Sequence, residues 1–233
     1  MLDILVIKCL TDNFSYLIRD KNTNTIGVVD PSEFSAVDNE IQKKYKKLDF
    51  ILNTHHHDDH IGGNLDLKKK YNSKIVCSEH DKNIIVDADI LLNDGDSFRF
   101  GEVDFNVLHV PGHTLGHIAF YSKKAGVVFT GDTLFSLGCG RIFEGSPDQM
   151  FKSIEKIKNL PSDTLIYCGH EYTENNGKFA INIDDQNNML REKIRDVAGK
   201  VKKGVPSIPV SLGDELNTNI FLRCENAKIK SKL

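Results

Sequence analysis

The segment 54–60 reads Thr-His-His-His-Asp-Asp-His, and four of its six histidine and aspartate side chains are candidate metal ligands. The segment follows the apolar run 50–52, so we place it at the carboxyl end of a buried strand, where side chains leave the core. Alternate side chains of an extended backbone share a face, which predicts that His55, His57 and Asp59 converge. Imidazole and carboxylate groups at this spacing are typical of a catalytic metal site.

His60 would open the helix that follows and reach back to the same point. Three later β-rich runs end in a glycine followed directly by a potential ligand, and these ligands are His113, Asp132 and His170. Glycine lets the backbone turn sharply, so each strand end can present one side chain into a cavity. The seven ligands exceed the roughly four that one tetrahedral zinc ion accepts, which predicts two divalent metal ions. Imidazole and carboxylate ligands without thiolate suit zinc, iron or manganese and do not choose among them; zinc is our first expectation.

The remaining histidines and the cysteines have simpler interpretations. A single histidine on an apolar face is usually a core residue with satisfied hydrogen bonds, and we assign that role to His80, His109 and His117. The five cysteines are scattered and form no Cys-x-x-Cys pair, so we expect them to be structural in a reducing compartment. A noncatalytic metal-binding protein stays open as a second class of function.

The elements that must position the ligands form two series of strands, each accompanied by helices. The first series starts as an antiparallel meander, and amphipathic or lysine-rich helical stretches follow at 36–45 and 65–71. A second series of strands begins near residue 97, and Ser146 starts a helix over 147–160. Two such halves predict an α/β protein with a four-layer αββα sandwich.

Length and charge limit the class of protein further. A chain of 233 residues suits a catalytic domain over 1–172 and, because the β signal stops there, a helical substrate-binding region over 173–233. The 30 basic residues do not outnumber the 33 acidic ones, so a nucleic acid partner is not expected. The sequence shows neither a secretory signal nor a run of membrane-spanning length, and we expect a cytoplasmic monomer.

Longer motifs resemble one known family. The histidine cluster resembles the His-x-His-x-Asp-His signature of the metallo-β-lactamase superfamily, and motifs along nearly the whole chain resemble its glyoxalase II branch, the hydroxyacylglutathione hydrolases. These motifs are 11–16 (TDNFSY), 29–31 (VDP), 111–117 (PGHTLGH), 131–135 (GDTLF), 138–141 (GCGR), 143–145 (FEG) and 169–173 (GHEYT).

The resemblance implies a role for each matching residue. The metal ligands fall into two groups, joined by one bridging residue: His55, His57 and His113 for one ion, Asp59, His60 and His170 for the other, and Asp132 between them. Asp59 and Asp132 are also the expected catalytic residues. Arg141, Phe143 and Tyr172 match positions that contact glutathione, with a surface salt bridge or core packing as the alternative roles.

The implied activity is hydrolysis of S-(2-hydroxyacyl)glutathione thioesters such as S-lactoylglutathione, the second step of methylglyoxal detoxification. Metal ions would activate the attacking water, and the products would be glutathione and a 2-hydroxy acid, here D-lactate. An iron-dependent oxygenase acting on glutathione persulfide, which uses a single metal ion, is the main alternative. Another hydrolase of the same fold is a further one.

The sequence departs from the family pattern at two places that bear on the site. Asp58 stands where relatives often have an aromatic or apolar residue, so it is either solvated or a neighbour of the metal ligands. The sequence ends where many relatives continue into a helix whose basic residues bind the glutathione carboxylates. Lys228, Lys230 and Lys232 are candidates for that role, although a basic tail is usually solvated.

Overall fold

A six-stranded sheet forms the first half of the protein, for which a computed structural model describes residues 1–232. Its strands are β1 (Leu2–Cys9), β2 (Asn13–Asp20), β3 (Thr25–Val29), β4 (Phe50–Leu52), β5 (Lys74–Ser78) and β6 (Ile90–Leu92). They lie side by side in chain order. The first three are antiparallel, as the predicted meander requires, and β3 to β6 are parallel.

A second sheet, also of six strands, follows in the chain. Its strands are β7 (Ser97–Phe100), β8 (Val103–His109), β9 (Ile118–Ser122), β10 (Val127–Gly131), β13 (Leu165–Cys168) and β14 (Val210–Ser211), with a separate two-stranded hairpin, β11 (Leu134–Phe135) and β12 (Gly138–Cys139), between β10 and β13. Only β10 and β13 pair in parallel. Parallel pairing brings the carboxyl ends of these two strands, which precede Asp132 and His170, to the same edge.

The two sheets pack face to face through an apolar core that is rich in aromatic side chains. Phe105, Phe120 and Phe129 are fully buried there, and the ring of Tyr16 lies 5.3 Å from the rings of both Phe129 and Tyr167. Burial of one such side chain contributes about 1.5–3 kcal/mol. This layer therefore holds the strand ends of both sheets in a fixed relation to each other.

Helices cover the outer faces of both sheets. Those of the first 172 residues are α1 (Phe34–Lys44), the one-turn α2 (Asp58–Ile61), α3 (Asn64–Tyr71) and α4 (Pro147–Lys158). Val37 and Leu67 pack α1 and α3 against the first sheet, and Met150 and Ile154 pack α4 against the second. Ser146 caps α4, as its sequence predicts. The order helix, sheet, sheet, helix confirms the αββα sandwich.

The last part of the chain is mainly helical, as predicted. Its helices are α5 (Thr173–Ile183), α6 (Asn188–Lys202), α7 (Leu212–Thr218) and α8 (Ala227–Lys230). Helices α5, α6 and α8 share a separate apolar cluster, whereas Leu212 of α7 packs into the cluster that contains Met150 and Ile154 of α4. The expectation that β structure stops after His170 is wrong, because β14 pairs with β13 at the edge of the second sheet. Two residues are too few to produce a periodic signal. The division of the chain after residue 172 stays a prediction.

No helix within residues 1–232 has the length and apolar character that a membrane span requires.

Candidate metal centre and active-site cavity

Three histidines from two loops form the first cluster of the site. His55 and His57 follow β4, and His113 lies in the loop between β8 and β9. The Nδ1 atom of His57 lies 3.1 Å from Nε2 of His55 and 3.0 Å from Nε2 of His113. Imidazole nitrogens this close to one another can share a metal ion.

A second cluster combines two residues of α2 with one strand end. Nε2 of His60 lies 3.3 Å from Nε2 of His170, which follows β13. Oδ2 of Asp59 lies 3.4 Å from Nε2 of His170 and 3.7 Å from Nε2 of His60. This cluster can also hold a metal ion.

Asp132 lies between the two clusters. Its Oδ2 atom is 3.4 Å from Nε2 of His113 and 3.3 Å from Nε2 of His170, and its Oδ1 atom is 3.3 Å from Nε2 of His60. The side chain is buried, and Oδ1 has no hydrogen-bond partner of acceptable geometry within residues 1–232. A buried oxygen without a hydrogen bond costs free energy. A divalent cation beside it would remove that cost, so the donor set fits a metal ion.

The outer nitrogens of four of these histidine rings are hydrogen-bonded away from the centre. The contacts are Nδ1 of His55 to Thr54 Oγ1 (3.0 Å), Nδ1 of His60 to Asp30 Oδ2 (3.1 Å), Nδ1 of His113 to the carbonyl oxygen of Arg141 (2.8 Å) and Nδ1 of His170 to Asp12 Oδ1 (2.9 Å). A carboxylate or carbonyl that accepts the outer N–H leaves the inner nitrogen free as a ligand. Three of the four partners are of this kind, which also supports a metal site.

The backbone presents Asp59 differently from the sequence expectation. His57, on an extended backbone, flanks the N-terminus of α2, and His55 lies in a bend before it, but Asp59 already belongs to the helix. The extended arrangement predicted through Asp59 is therefore wrong, because the turn begins at Asp58. Asp58 itself is exposed to solvent. Of the two roles considered for Asp58, a solvated carboxylate or a neighbour of the metal ligands, the exposed position supports the first.

Glycine is required where strand ends approach each other closely. A Cβ on Gly169 would overlap Oδ1 of Asp132, and a Cβ on Gly131, whose φ is +47°, would overlap Oγ1 of Thr54. Neither position has room for a side chain. The glycines before Asp132 and His170 thus allow the two ligands to meet.

The charges of the site reinforce one another. Burial raises the pKa of Asp132, but His60 and His170 outweigh it and hold this pKa well below its ordinary value. Burial opposes the protonation of both histidines, yet Asp132 and Asp30 raise the pKa of His60, and Asp132 and Asp59 raise that of His170 to about 10. An entering metal ion must therefore displace protons from these rings.

Asp30 supports the site although the sequence analysis gave it no role. Its carboxylate accepts hydrogen bonds from the backbone N–H of Thr54 at 2.8 Å and from Thr54 Oγ1 at 2.7 Å, besides facing His60. Asp30 directly follows β3. Its place at a strand end was a signal in the sequence, although no glycine precedes it as one precedes His113, Asp132 and His170.

His56, the one histidine of the cluster that faces away from the centre, joins three loops. Its Nδ1 atom lies 3.1 Å from Oδ1 of Asp81, and its Nε2 atom lies 3.1 Å from Oε1 of Glu144. Glu144 also accepts the backbone N–H of Leu115 at 2.7 Å. This contact set holds the segment after Arg141 against the loop that carries His113.

The three histidines assigned to the core differ in their surroundings. His117 is buried as expected, but it also stacks on His55 at 4.6 Å and its Nε2 accepts the backbone N–H of Asp132 at 3.1 Å. His80 and His109 stack on each other at 4.9 Å outside the site. His80 is exposed, so the core assignment is wrong for it.

A cavity of about 570 Å³ opens over the two clusters. Arg141, Phe143 and Tyr172 line it together with five of the seven candidate metal ligands, His57, Asp59, His113, Asp132 and His170. Tyr172 stacks on His170 at 4.7 Å, and Phe143, 63% exposed, lies 5.2 Å from the ring of His113. Arg141 is exposed and has no ion-pair partner among the described residues. Neither core packing of Phe143 nor a salt bridge of Arg141 therefore describes these side chains.

The C-terminal lysines lie elsewhere. Lys232 forms an ion pair with Asp185, and Lys228 lines a separate surface groove with Arg223. For the part of the chain that the structure describes, the lining of the 570 Å³ cavity does not include them. The structure gives these lysines no contact with the candidate site.

The αββα sandwich and its histidine and aspartate clusters define the metallo-β-lactamase class of proteins, and the family model for the metallo-beta-lactamase superfamily matches residues 11–170. A second model, described as hydroxyacylglutathione hydrolase C-terminus, matches residues 171–233. The hydroxyacylglutathione hydrolase of Pelagibacter ubique is 49% identical over 100% of this chain and 97% of its own. That of Methylococcus capsulatus is 42% identical, over 100% and 91%. The chain belongs to the hydroxyacylglutathione hydrolase family.

Solved structures show the same fold. The BLEG-1 B3 metallo-beta-lactamase superimposes with a TM-score of 0.72 at 22% identity, covering 95% of this chain and 99% of that one. ETHE1 from Myxococcus xanthus gives 0.71 at 25% identity, covering 100% and 94%. TTHA1623, solved in a di-iron-bound form, gives 0.60 at 26% identity, covering 72% and 91%.

Proposed function

We propose that this protein hydrolyses S-(2-hydroxyacyl)glutathione thioesters, such as S-lactoylglutathione, to glutathione and a 2-hydroxy acid. The observation that carries the proposal is the convergence of seven metal-ligating side chains beneath one open cavity. The substrate class comes from relatives named hydroxyacylglutathione hydrolase that are 49% and 42% identical along the whole chain. The matched C-terminal family region supports the same class.

Each of the two clusters is proposed to hold one divalent ion, with Asp132 bridging them. Imidazole and carboxylate ligands without thiolate suit zinc, iron or manganese, and we propose zinc as the first of these to test. When bound, such ions lower the pKa of water to about 7 and stabilise negative charge on oxygen. Their charge exceeds that of Asp59 and Asp132, so the pocket attracts an anionic substrate despite the net charge of −3.

Asp59 is the proposed proton acceptor at the edge of the cavity. The hydrogen bond from His170 outweighs burial and keeps the pKa of Asp59 below its ordinary value, so the carboxylate is ionised. Asn13 donates to Oδ2 of Asp59 at 2.9 Å and fixes its orientation. A carboxylate held in this way can orient a water molecule and accept its proton.

The cavity wall is proposed to bind the glutathione part of the substrate. Arg141 is an exposed cation suited to a glutathione carboxylate. Burial raises the pKa of Tyr172 to about 12, so its phenol stays neutral and can donate a hydrogen bond. Phe143 offers an apolar surface beside His113.

The alternative oxygenase would use a single metal ion. The second cluster of Asp59, His60 and His170 favours the hydrolase, because a single-ion enzyme needs only one of the two clusters as a metal site. Oxygen uptake with glutathione persulfide separates the two activities.

An assay of S-lactoylglutathione hydrolysis, which is measured as the loss of the thioester's absorbance, tests the proposal directly. We expect zinc-loaded protein to turn over the thioester, a chelator to stop it and added zinc to restore it. His57→Ala should abolish turnover, whereas the matched control His80→Ala should retain it because His80 lies outside the site. A zinc-loaded wild-type protein that leaves the thioester intact contradicts the proposal.

A further inference from the structure

The β11–β12 hairpin forms part of the cavity wall. It lies in the chain between Asp132 and Arg141, and Phe135 and Cys139 line the cavity from its two strands. Ser136 and Leu137, at the turn of the hairpin, are not among the cavity-lining residues and contact the C-terminal helical part. The hairpin therefore connects the substrate wall with a region that contributes few cavity residues of its own.

Leu137 anchors the turn in the apolar cluster of the helical part. Its side chain is fully buried together with Ala180, Leu190 and Ile220. Its φ angle is +58°, a left-handed conformation that is unfavourable for an L-residue. Burial and hydrogen bonds around the turn must offset this cost.

Glu215 on α7 is the polar anchor of the same turn. Its Oε1 atom accepts from Ser136 Oγ at 2.8 Å, and its Oε2 atom accepts from the backbone N–H of Leu137 at 2.8 Å and from Asn219 Nδ2 at 3.0 Å. Lys193 on α6 forms an ion pair with Oε1. The side chain of Glu215 is fully buried, so these four donors, rather than water, stabilise its carboxylate.

Asparagine side chains hold the carbonyl groups of the hairpin from the same side. Asn219 donates from Nδ2 to the carbonyl oxygens of Phe135 and Gly138, both at 3.1 Å. Asn176 on α5 donates to the carbonyl oxygen of Ser136 at 3.0 Å. Three elements of the helical part thus contact a hairpin of only six residues.

We propose that Glu215 is a positioning residue for substrate binding, through which the C-terminal helices set the position of the β11–β12 hairpin and of the cavity wall beside Arg141. The inference rests on the proposed thioester hydrolysis. In this proposal the helical part influences substrate binding through the hairpin, without direct contact with the reacting groups.

The metal ligands near the hairpin have anchors of their own. The backbone N–H of Asp132 is bound by His117, and the carbonyl oxygen of Arg141 accepts from His113. Loss of the Glu215 contacts should therefore displace Phe135 and Cys139 more than the metal centre. A defect in substrate binding, with intact metal content, is the distinguishing result.

The main variant is Glu215→Gln. The side-chain NH2 group of the glutamine must take the place of either Oε1 or Oε2. In the first case it faces the ammonium group of Lys193, and in the second case it faces the N–H groups of Leu137 and Asn219, so a donor meets a donor in both. We expect KM for S-lactoylglutathione to rise about three- to tenfold, because only part of the free energy of this charge-assisted network acts on substrate binding. We expect kcat to change by less than about twofold, the pattern of lost ground-state binding. Hydrogen exchange at 134–139 should become faster.

Two further variants keep the inference testable. Ser136→Ala removes only one contact of Glu215, and it tests the inference even if Glu215→Gln does not fold. We expect it to raise KM less, by about twofold. Asp184→Asn breaks the ion pair with Arg223 elsewhere in the helical part and should leave KM unchanged. An unchanged KM in both Glu215→Gln and Ser136→Ala, an equal rise in Asp184→Asn, or a loss of kcat together with metal overturns the inference. Absent turnover by wild-type protein would instead overturn the proposed function.

Discussion

The Nε2 atoms of His60 and His170 face each other at 3.3 Å, although the two residues are 110 positions apart in the chain. Their opposite nitrogens contact Asp30 and Asp12. Two inner nitrogens directed at one point are unfavourable unless a proton or a metal ion lies between them. Asp59 and Asp132 supply the negative charge that such a cation requires.

Gly169→Ala should disrupt the metal centre while the fold persists, because the new Cβ would overlap Oδ1 of Asp132. We expect loss of bound metal and of turnover, measured by elemental analysis and the thioester assay. Gly199→Ala is the matched control, since Gly199 lies in α6 with open space around it. That substitution should stabilise the helix by up to about 1 kcal/mol. Normal metal content in Gly169→Ala would contradict the close approach.

Asp30→Asn should weaken metal binding without removing a ligand. The amide would lose either the acceptor for the backbone N–H of Thr54, at the position of Oδ1, or the acceptor that Thr54 Oγ1 and His60 Nδ1 share, at the position of Oδ2. Changes at such supporting residues cost about 10- to 100-fold in metal affinity or activity. Competition with a chelator measures the affinity. Asp49→Asn, which also removes a carboxylate that accepts a backbone N–H, should leave metal affinity unchanged. Equal affinities of the two variants would argue against the role of Asp30.

Arg141→Met should impair substrate binding selectively. Loss of a charge-assisted contact to a glutathione carboxylate should raise KM by about tenfold or more, with stability and metal content unchanged. The effect should shrink as salt concentration increases. Arg99→Met, another exposed arginine, serves as the control. A KM that does not respond to Arg141→Met would remove this residue from the substrate wall.

Much of this site follows from local patterns in the sequence. His113, Asp132 and His170 each follow a glycine at a strand end, so their types and positions were visible without tertiary information. The two-sheet sandwich was equally visible, because its long strands show clear apolar runs. Resemblance added the grouping of the ligands.

Other features depend on contacts between distant segments. The one-turn helix α2, which presents Asp59, and the two-residue strand β14 are too short for a periodic signal. Glu215 reads as an ordinary charge on a helix, and only its burial beside Ser136, 79 residues away, reveals its partners. Tertiary packing, rather than local preference, decides such positions.

Asp20 should make the fold sensitive to acid in a defined range. Burial raises the pKa of its carboxyl, but hydrogen bonds from the N–H of Glu102, Thr23 Oγ1 and the N–H of Asn22 outweigh this and lower the pKa to about 2. Because the folded pKa lies below the unfolded value of about 3.9, the stabilisation is present above that pH and is lost as pH falls toward 2. The Asp20→Asn variant should lack this pH-dependent contribution to stability.

Urea denaturation of chelator-treated protein measures this contribution. The stability gap between wild type and Asp20→Asn should be largest at neutral pH and should narrow as pH falls from about 4 to about 2. A gap that is the same at every pH would show that the substitution acts through packing rather than through charge.

The number of ions that the chelator-treated protein binds tests the central claim most directly. Titration calorimetry with zinc, checked by elemental analysis, should give two ions per chain for wild type and fewer for Asp132→Ala, because the bridging carboxylate is lost. Turnover of Asp132→Ala should fall by at least about a hundredfold. Wild-type protein that binds no second ion, or Asp132→Ala protein that keeps two ions and full activity, would contradict the account.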